Sequence, residues 1–324
     1  MKFSLIICTY MRPRALNTLL HSVANQIRVP NEVIIVDASF NSKTKELLDS
    51  SNFNLNLKYF MVEAEHRGLT KQRNFGIHKL ASDSEVVIFL DDDLIIEREF
   101  CQNILSNFGD SEIIGAEGYI TNEHKWLRIA NNEVINYNFF QLDGFKYKLN
   151  VRDRFRKYLG LYPSKIQPGL IPEYGHGKTS LPPTDKIYFI EHLTGCMMAF
   201  RTDILMKVKF SEFFEGYGLY EDFDFSVRAS AFGKLVADTN AKCEHHHDPS
   251  GRPNYFKYGK MVVWNGYYVW RLKHPKPGFV NVMKWYLITM LLIILRMSGL
   301  KKGGIKEGFG RISSLIKLQF IKPI

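Results

Sequence analysis

Apolar runs that are typical of β-strands alternate with helical patterns along residues 1–90, and this alternation constrains the fold most strongly. After the first run, Leu16, Leu19, Leu20 and Val23 recur at helical spacing, and further helical patterns follow the next two runs. Strands that alternate with helices predict an α/β fold with a doubly wound, mostly parallel sheet. The runs that predict strands are Phe3–Thr9, Glu32–Asp37, Leu57–Val62 and Glu85–Leu90.

Polar residues stand at the carboxyl ends of three of these predicted strands. Thr9 ends the first strand, Asp37 ends the second, and Asp91, Asp92 and Asp93 follow the fourth. In an open parallel sheet, ligands bind beyond the carboxyl ends of the strands. The sequence therefore predicts a ligand site at this edge of the sheet.

Length and cysteine usage limit the class of protein. The chain has 324 residues, of which 45% are hydrophobic, enough for one large domain and a smaller appendage. Its four cysteines are scattered without a CxxC pair, and the sequence shows no secretory leader, so we expect a reducing cytoplasm and no disulfide framework. Neither a P-loop nor a GxGxxG pattern occurs, so the usual markers of ATP hydrolysis and dinucleotide redox chemistry are missing.

The formal charge of +10 is concentrated in two segments. Val151–Lys157 is basic, and the tail after Lys273 carries many cations against the single acid Glu307. This tail also contains the uncharged run Trp285–Leu295, whose eleven residues fall short of the ~20 that a membrane-spanning helix needs. We therefore expect a tail that lies on an anionic membrane surface without spanning it, and we expect no nucleic acid partner.

Asp91, Asp92 and Asp93 form a consecutive acidic triplet. Carboxylates this close raise one another's pKa unless a cation or hydrogen-bond donors lie nearby. Mg²⁺ or Mn²⁺, bound by one or two of these carboxylates and by phosphate oxygens, would relieve the repulsion and would suit a nucleotide diphosphate. The alternative is a solvated turn or a helix N-cap. The apolar strand directly before the triplet favours the metal.

A second acidic group follows the glycine-containing loop Gly216–Gly218. Glu221, Asp222 and Asp224 lie in the first turn of a helix predicted over Glu221–Phe232. These acids could be caps that complement the helix dipole. A general base, however, requires a carboxylate that is presented from the edge of a loop into a cleft. One of the acids is therefore a candidate base, while another supports the scaffold.

Three histidines, His245, His246 and His247, follow the last predicted strand, which runs from Leu235 towards His245. One imidazole added to the acidic triplet would favour Mn²⁺ over Mg²⁺. A zinc cluster is the alternative, although no second pair of ligands occurs at a zinc-finger spacing.

The basic segment Arg67–Asn74 begins another predicted helix. Arg67, Lys71 and Arg73, together with the helix N-terminus, make a setting that binds anions such as phosphate. An ordinary solvated basic face is the alternative and is the more frequent meaning of such charge runs.

Taken together, these segments resemble the family 2 glycosyltransferases of the GT-A fold, over residues 2–252. Two strand ends, a helix, the acidic triplet and the later acidic box occur in the order of that family's pattern. The resemblance implies a GT-A type, Rossmann-like α/β fold and a metal-dependent glycosyltransferase. The segments that carry the resemblance are Ile6–Arg12, Ile35–Asp37, Arg73–Ile77, Phe89–Asp93 and Glu221–Asp224.

The resemblance also implies roles in catalysis and metal binding. Asp91 and Asp93 would match the metal-binding aspartates of the DxD motif. His245 would complete the metal site, unless one of the two histidines after it serves instead. Asp222 would be the base that removes the proton of the acceptor hydroxyl, so that a single displacement inverts the sugar. The acids that support this base would be Glu221 and Asp224.

A further set of residues is implied to bind the nucleotide sugar. Asp37 would contact the base or the ribose, Asp92 would lie near the ribose, and Arg73 would lie close to the diphosphate. The full set is Thr9, Tyr10, Arg12, Asp37, Arg67, Arg73, Asn74, Asp91 and Asp92.

The same resemblance implies a division of the chain and a biological setting. Residues 1–252 would be the catalytic domain and residues 253–324 a helical membrane-association region. Residues 120–183 depart from the family's pattern, and we expect them to be an acceptor-side insertion. Because the QxxRW motif and the multiple membrane helices of processive synthases are missing, we expect the addition of one or a few sugars. The donor would be a UDP- or dTDP-sugar, and the acceptor a glycan or a lipid-linked glycan. The enzyme would build cell-surface polysaccharide at the inner face of the cell membrane.

Two other functions fit parts of the pattern. A nucleotidyltransferase that makes sugar nucleotides also uses a nucleotide-binding α/β sheet, but it would carry a Gly-rich loop after its first strand, and Thr9–Pro13 has no glycine. A non-catalytic carbohydrate-binding or scaffold protein at the membrane would be expected to have lost an acid from the triplet or from the pair Glu221-Asp222, and all of these acids are present.

Overall fold

The computed structural model describes residues 1–163, 167–175, 177, 180–248, 250, 252–299 and 302–323. The chain divides into two compact units, each built from two segments. The first unit contains Met1–His124 and Pro183–Arg252, and the second contains Lys125–Pro182 and Pro253–Ile324.

The secondary structure of the described residues follows the predicted alternation in its first part. The strands are β1 (Phe3–Thr9), β2 (Glu32–Asp37), β3 (Leu57–Met61), β4 (Val86–Asp91), β5 (Leu94–Ile96), β6 (Ile113–Ile120), β7 (Leu127–Arg128), β8 (Phe139–Leu142), β9 (Phe145–Lys148), β10 (Ile187–Ile190), β11 (Met198–Arg201) and β12 (Lys234–His245). The α-helices are α1 (Pro13–Ala24), α2 (Lys43–Ser50), α3 (Leu69–Ile77), α4 (Phe100–Ser106), α5 (Val151–Tyr158), α6 (Thr202–Lys207), α7 (Glu221–Ala229), α8 (Tyr255–Lys273), α9 (Phe279–Ser298) and α10 (Gly304–Phe320).

One large sheet organises the first unit. Its strand order is β10-β12-β6-β11-β4-β1-β2-β3, and β5 pairs with the end of β12. Strands β3, β2, β1 and β4 are parallel, whereas β11 runs antiparallel between β4 and β6. The predicted α/β fold is confirmed, and its N-terminal half is the doubly wound, parallel part.

The central strands are apolar on both faces because helices cover both sides of this half of the sheet. Leu5, Ile7, Ile35 and Ile88 are fully buried in one core. Helix α1 begins with Pro13, which suits the first helical position because its missing N–H would have no partner there. Burying one such aliphatic side chain stabilises the fold by about 1.5–3 kcal/mol.

The second unit combines a small antiparallel sheet, in the order β7-β9-β8, with α5 and three C-terminal helices. Glycines allow helices α8 and α10 to pack closely. A Cβ at Gly259 would lie 2.1 Å from the Glu307 carbonyl oxygen, and a Cβ at Gly310 would lie 2.1 Å from the Phe256 carbonyl oxygen. Their core includes stacked aromatic rings on α8 and α9. Residues 125–182, whose sequence shows little periodicity, belong to the same compact unit as residues 253–324. The functional division at residue 252 stays a prediction.

The C-terminal apolar segment is longer than its sequence suggested. The expectation of a run too short to cross a membrane is wrong, because α9 continues on both sides of Trp285–Leu295 and has 20 residues. Among the described residues, α9 alone is long and apolar enough to cross a membrane, by length and composition only. Core helices of soluble proteins pass the same test, but only 28% of the most apolar part of α9 is buried.

Candidate active site

The carboxyl ends of β1, β2 and β4 meet at one edge of the sheet and bring the predicted polar residues together. Thr9 is the register partner of Asp37, and Cys8 is the register partner of Asp91. The end of β12 brings His245 to the same region, because His245 pairs with Leu94 just after the acidic triplet. The sheet topology therefore gathers residues that lie far apart in the sequence.

Asp92, the middle acid of the triplet, is buried and hydrogen-bonded to residues of the first strand and the loop after it. Its side chain accepts a hydrogen bond from Thr9 Oγ1 at 2.6 Å and one from Arg12 Nη1 at 3.0 Å. Arg12 also donates to the Asp248 carbonyl oxygen at 3.1 Å, and thereby ties the loop after β12 to the triplet. Burial raises the pKa of Asp92 to about 7, although Arg12 and Thr9 oppose this shift. Its predicted contact with a ribose stays a prediction.

Asp91, Asp93 and His245 form a group that could hold a metal ion. One ligand atom from each residue lies within 4.8 Å of the other two, and His245 Nε2 is 3.1 Å from Asp93 Oδ1. Burial opposes the ionisation of Asp93, but the hydrogen bond with His245 lowers its pKa to about 2. Burial likewise opposes the charge of His245, but Asp93 and Glu123 raise its pKa to about 9. Two carboxylates and one imidazole fit Mn²⁺ well.

Arg73 connects the candidate metal group to helix α7. This fully buried guanidinium pairs with Glu221, donates to the Gly195 carbonyl oxygen at 2.7 Å and lies 3.7 Å from Asp91 Oδ1. Burial opposes its charge, but the carboxylates of Glu221 and Asp91 outweigh this effect and raise the pKa of Arg73. Burial also raises the pKa of Glu221 to about 8, although Arg73 opposes it.

Asp222, the predicted base, lies at the start of α7 and is held by two backbone groups. Its carboxylate accepts hydrogen bonds from Gly195 N and Phe223 N, both at 2.9 Å. Burial raises the pKa of Asp222, although these two N–H donors oppose the shift. Gly195 is required for this approach, because a Cβ there would lie 2.8 Å from Glu221 Oε1 and 3.2 Å from Asp222 Oδ2.

Asn74 and Asp224 bind other parts of the protein in this structure. The Asn74 side chain forms two hydrogen bonds with the backbone of Phe210, at 2.9 and 3.0 Å. Asp224 is buried and accepts a hydrogen bond from Arg228 Nε at 3.1 Å within α7. These contacts give both residues a structural role, while the sequence-based assignment of Asn74 to the donor site stays a prediction.

The remaining predicted donor residues surround the end of β2. Asp37 is buried and accepts hydrogen bonds from Ser39 N at 2.8 Å and Tyr59 Oη at 3.0 Å. Near it, Tyr10 meets Phe40 edge-on at 5.9 Å between ring centres, and Arg67 lies over the Phe40 ring at 4.0 Å. This aromatic and cationic surface can contact a flat base.

Sequence reasoning missed two acids, Glu117 and Glu123. Glu117, on β6, is buried and accepts a hydrogen bond from Thr194 N, the neighbour of Gly195. Burial raises the pKa of Glu117 to about 8, although this hydrogen bond opposes the shift. A lone carboxyl within the apolar strand Ile113–Ile120 is the signal that could have found it. Glu123 lies 3.0 Å from His245 Nδ1, and its position in a polar stretch gave no such signal.

The comparisons with known proteins agree with the predicted family and fold. Residues 4–164 match the family model described as glycosyl transferase family 2, in agreement with the predicted resemblance. A curated relative is the poly(ribitol-phosphate) beta-N-acetylglucosaminyltransferase TarS of Staphylococcus aureus, 33% identical over 101 residues. That match covers 31% of this chain and only 17% of the length of TarS.

Two solved glycosyltransferase structures share the fold. The mannosyltransferase PcManGT from Pyrobaculum calidifontis, in complex with GDP-Man and Mn²⁺, has a TM-score of 0.56 at 13% identity, covering 99% of this chain and 81% of that one. GalNAc-T7 with UDP, GalNAc and Mn²⁺ has a TM-score of 0.53 at 17% identity, covering 92% of this chain and 57% of that one. At these identities the likeness establishes the GT-A fold alone.

Proposed function

We propose that the protein is an inverting, metal-dependent glycosyltransferase that uses a UDP- or dTDP-sugar as its donor. The observation that carries this proposal is the position of Arg73, which lies 3.7 Å from Asp91 in the metal group and pairs with Glu221 beside Asp222. A candidate diphosphate site and a candidate base are thus linked through one side chain. The Mn²⁺-containing glycosyltransferases that share the fold support the same chemistry.

The donor side of the site would hold the nucleotide diphosphate. Asp91, Asp93 and His245 would hold Mn²⁺ or Mg²⁺, and the ion would offset the negative charge that develops on the departing diphosphate. Arg73, which the protein keeps charged, adds a positive charge beside the metal group. Asp37 would contact the base or ribose at the end of β2.

Asp222 would act as the general base on the acceptor side. Its carboxylate takes the proton of the acceptor hydroxyl while the hydroxyl oxygen attacks the anomeric carbon, opposite the diphosphate. The bond between that carbon and the diphosphate oxygen breaks in the same displacement, so the configuration inverts. The N–H groups of Gly195 and Phe223 orient the carboxylate, and its raised pKa makes it a stronger proton acceptor.

The second unit would hold the enzyme at the inner, cytoplasmic face of the cell membrane, where a glycan or lipid-linked acceptor is extended into surface polysaccharide. Met283, Leu287, Met290 and Ile294 are exposed at spacings of four, three and four along α9 and therefore share one face of that helix. The high cation content of the tail favours anionic lipids.

The proposed activity can be tested with a panel of nucleotide sugars. We expect Mn²⁺-dependent release of the nucleoside diphosphate from one class of donor by slow hydrolysis, and loss of this release after chelation by EDTA. A nucleotidyltransferase would instead release pyrophosphate from a nucleoside triphosphate and a sugar phosphate. A protein that neither binds nor hydrolyses any donor in the panel would contradict the transferase and favour a scaffold role.

A further inference from the structure

The imidazole of His245 faces acidic groups through both of its ring nitrogens. Nε2 lies 3.1 Å from Asp93 Oδ1 in the proposed metal site, whereas Nδ1 lies 3.0 Å from Glu123 Oε1 on the opposite side of the ring. The same Glu123 oxygen lies 3.0 Å from His247 Nε2. His245 therefore belongs to two groups of metal-binding side chains.

The second group, Glu123, His245 and His247, has the composition of a transition-metal site. One ligand atom from each residue lies within 4.8 Å of the other two. Tetrahedral zinc with bonds of about 2.1 Å keeps its ligand atoms about 3.4 Å apart. Glu123 Oε1 lies 3.0 Å from both His245 Nδ1 and His247 Nε2, so these two separations need to open only slightly. The side chain of His247 is 51% exposed, which leaves it room to adjust.

The donor atoms of the two groups differ in the ions they prefer. Asp91, Asp93 and His245 offer two carboxylates and one imidazole, which suit Mn²⁺ or Mg²⁺ together with phosphate oxygens. Glu123, His245 and His247 offer two imidazoles and one carboxylate, the set found in zinc sites that keep an open position.

A neutral imidazole has one nitrogen with a free lone pair and one that carries a proton. An ion bound at Nε2 leaves Nδ1–H to donate to Glu123, and an ion bound at Nδ1 leaves Nε2–H to donate to Asp93. We propose that Glu123, His245 and His247 form a second, zinc-type site, and that zinc bound there excludes Mn²⁺ from full coordination in the first site. The exclusion rests on the proposed function, whereas the existence of the second site does not.

Zinc binding by the whole chain tests the second site directly. Affinity would be measured by competition with a chromophoric chelator, without nucleotide and without Mn²⁺. We expect His247→Ala to weaken zinc binding at least about tenfold, because one of three ligands is lost. His246→Ala is the matched control, since His246 is equally exposed and pairs with Glu244 at 3.0 Å. We expect this variant to bind zinc within about twofold of the wild type.

If His247→Ala binds zinc as tightly as the wild type, the second site does not exist and any zinc lies elsewhere, the first site included. His247→Ala should keep the near-ultraviolet circular dichroism spectrum of the wild type, because its side chain is half exposed. A His247→Gln variant, which keeps a polar side chain of similar length, serves the same test if His247→Ala does not fold.

Exclusion is tested by measuring Mn²⁺ affinity through the electron paramagnetic resonance signal of free Mn²⁺, in the presence of UDP. We expect saturating zinc to weaken Mn²⁺ binding at least about tenfold in the wild type, and to have less effect in His247→Ala at the same zinc concentration. Unchanged Mn²⁺ affinity in zinc-saturated protein would overturn the exclusion. Failure of Mn²⁺ to bind without zinc would count against the proposed function, while the chelator measurement still decides the second site.

Discussion

Two buried glutamates, one in each unit, offset the cost of burying a carboxyl group in different ways. Glu117 in the first unit accepts a hydrogen bond from Thr194 N, and burial raises its pKa to about 8. Glu307 in the second unit is equally buried but pairs with Arg296 and Arg311. The first unit thus holds carboxyl groups whose protonation is tuned by burial, whereas the second unit uses an ion pair to join helices. The difference suggests that Glu307 serves stability, whereas buried acids of the first unit without such a pair, such as Glu117, are available for chemistry.

The largest effect is expected from Asp222→Asn, which tests whether this buried acid of the first unit takes part in the chemical step. An amide cannot accept the acceptor's proton, so we expect transfer to fall by about 10³-fold while donor binding changes little. Each carboxylate oxygen of Asp222 accepts one backbone N–H, and an amide keeps only one oxygen, so we also expect a loss of about 1–3 kcal/mol in unfolding free energy. Rates with a responsive donor and binding by calorimetry measure this. Asp224→Asn, in the same helix turn but paired with Arg228, is a control that should affect stability more than the chemical step. Unchanged transfer in Asp222→Asn would remove Asp222 from the base role.

Glu307→Ala tests whether the buried ion pairs of the second unit stabilise the protein. Removing the carboxylate leaves two partly buried arginines without their shared partner, and we expect a loss of about 3 kcal/mol in unfolding free energy. Urea unfolding of the variant measures this loss. Lys306→Ala, an exposed neighbour on α10, should change stability by less than about 0.5 kcal/mol. Equal effects of the two substitutions would mean that the buried ion pair contributes nothing.

A double substitution, Leu287→Glu with Ile294→Glu, tests whether the exposed face of α9 meets lipid. The two side chains are 47% and 62% exposed. Replacing them with acids should weaken binding to anionic vesicles by about 30-fold, since apolar contact is lost and charge repulsion is added. Co-sedimentation with vesicles measures this effect. Met206→Glu, at an exposed position on α6 of the first unit, is the control, and equal loss in both variants would refute the specific role of α9.

The smallest effect concerns the pH dependence of stability. Because the folded-state pKa of Glu117 is raised to about 8, the folded protein binds its proton more tightly than the unfolded chain does. Its contribution to stability is therefore largest below about pH 4.5 and is lost as the pH rises towards about 8. Glu117→Gln should reduce the difference in unfolding free energy between low and high pH by at least about 1.4 kcal/mol, the equivalent of one pKa unit. Urea unfolding at about pH 5 and pH 8 measures it, and parallel pH profiles would contradict the shift.

Much of the fold follows from local sequence patterns. The bounds of β1 and β2 agree with their apolar runs, and the position of the acidic triplet after β4 follows from the same pattern. The full length of α9 did not follow, because its flanking residues are less apolar than its centre. Local patterns therefore locate elements better than they locate their ends.

The candidate site could be predicted only in part. Asp91, Asp93 and His245 were named from the sequence and the structure brings their ligand atoms together. The contacts of Asn74 with Phe210 and of Glu123 with His245 join residues more than 100 positions apart, and periodicity carries no information about such pairs. The packing of residues 125–182 with the C-terminal helices is another long-range result.

Gly195 couples the positions of Asp222 and Arg73 through its backbone. Its N–H donates to the carboxylate of Asp222, and its carbonyl oxygen accepts from the guanidinium of Arg73, so one residue joins the proposed base to the proposed diphosphate side. Rotation about its two backbone dihedral angles would alter both contacts together, and no side chain can be added there to damp that rotation. A shift of Arg73 towards a bound phosphate would therefore also move Asp222, the proposed base, through this single residue.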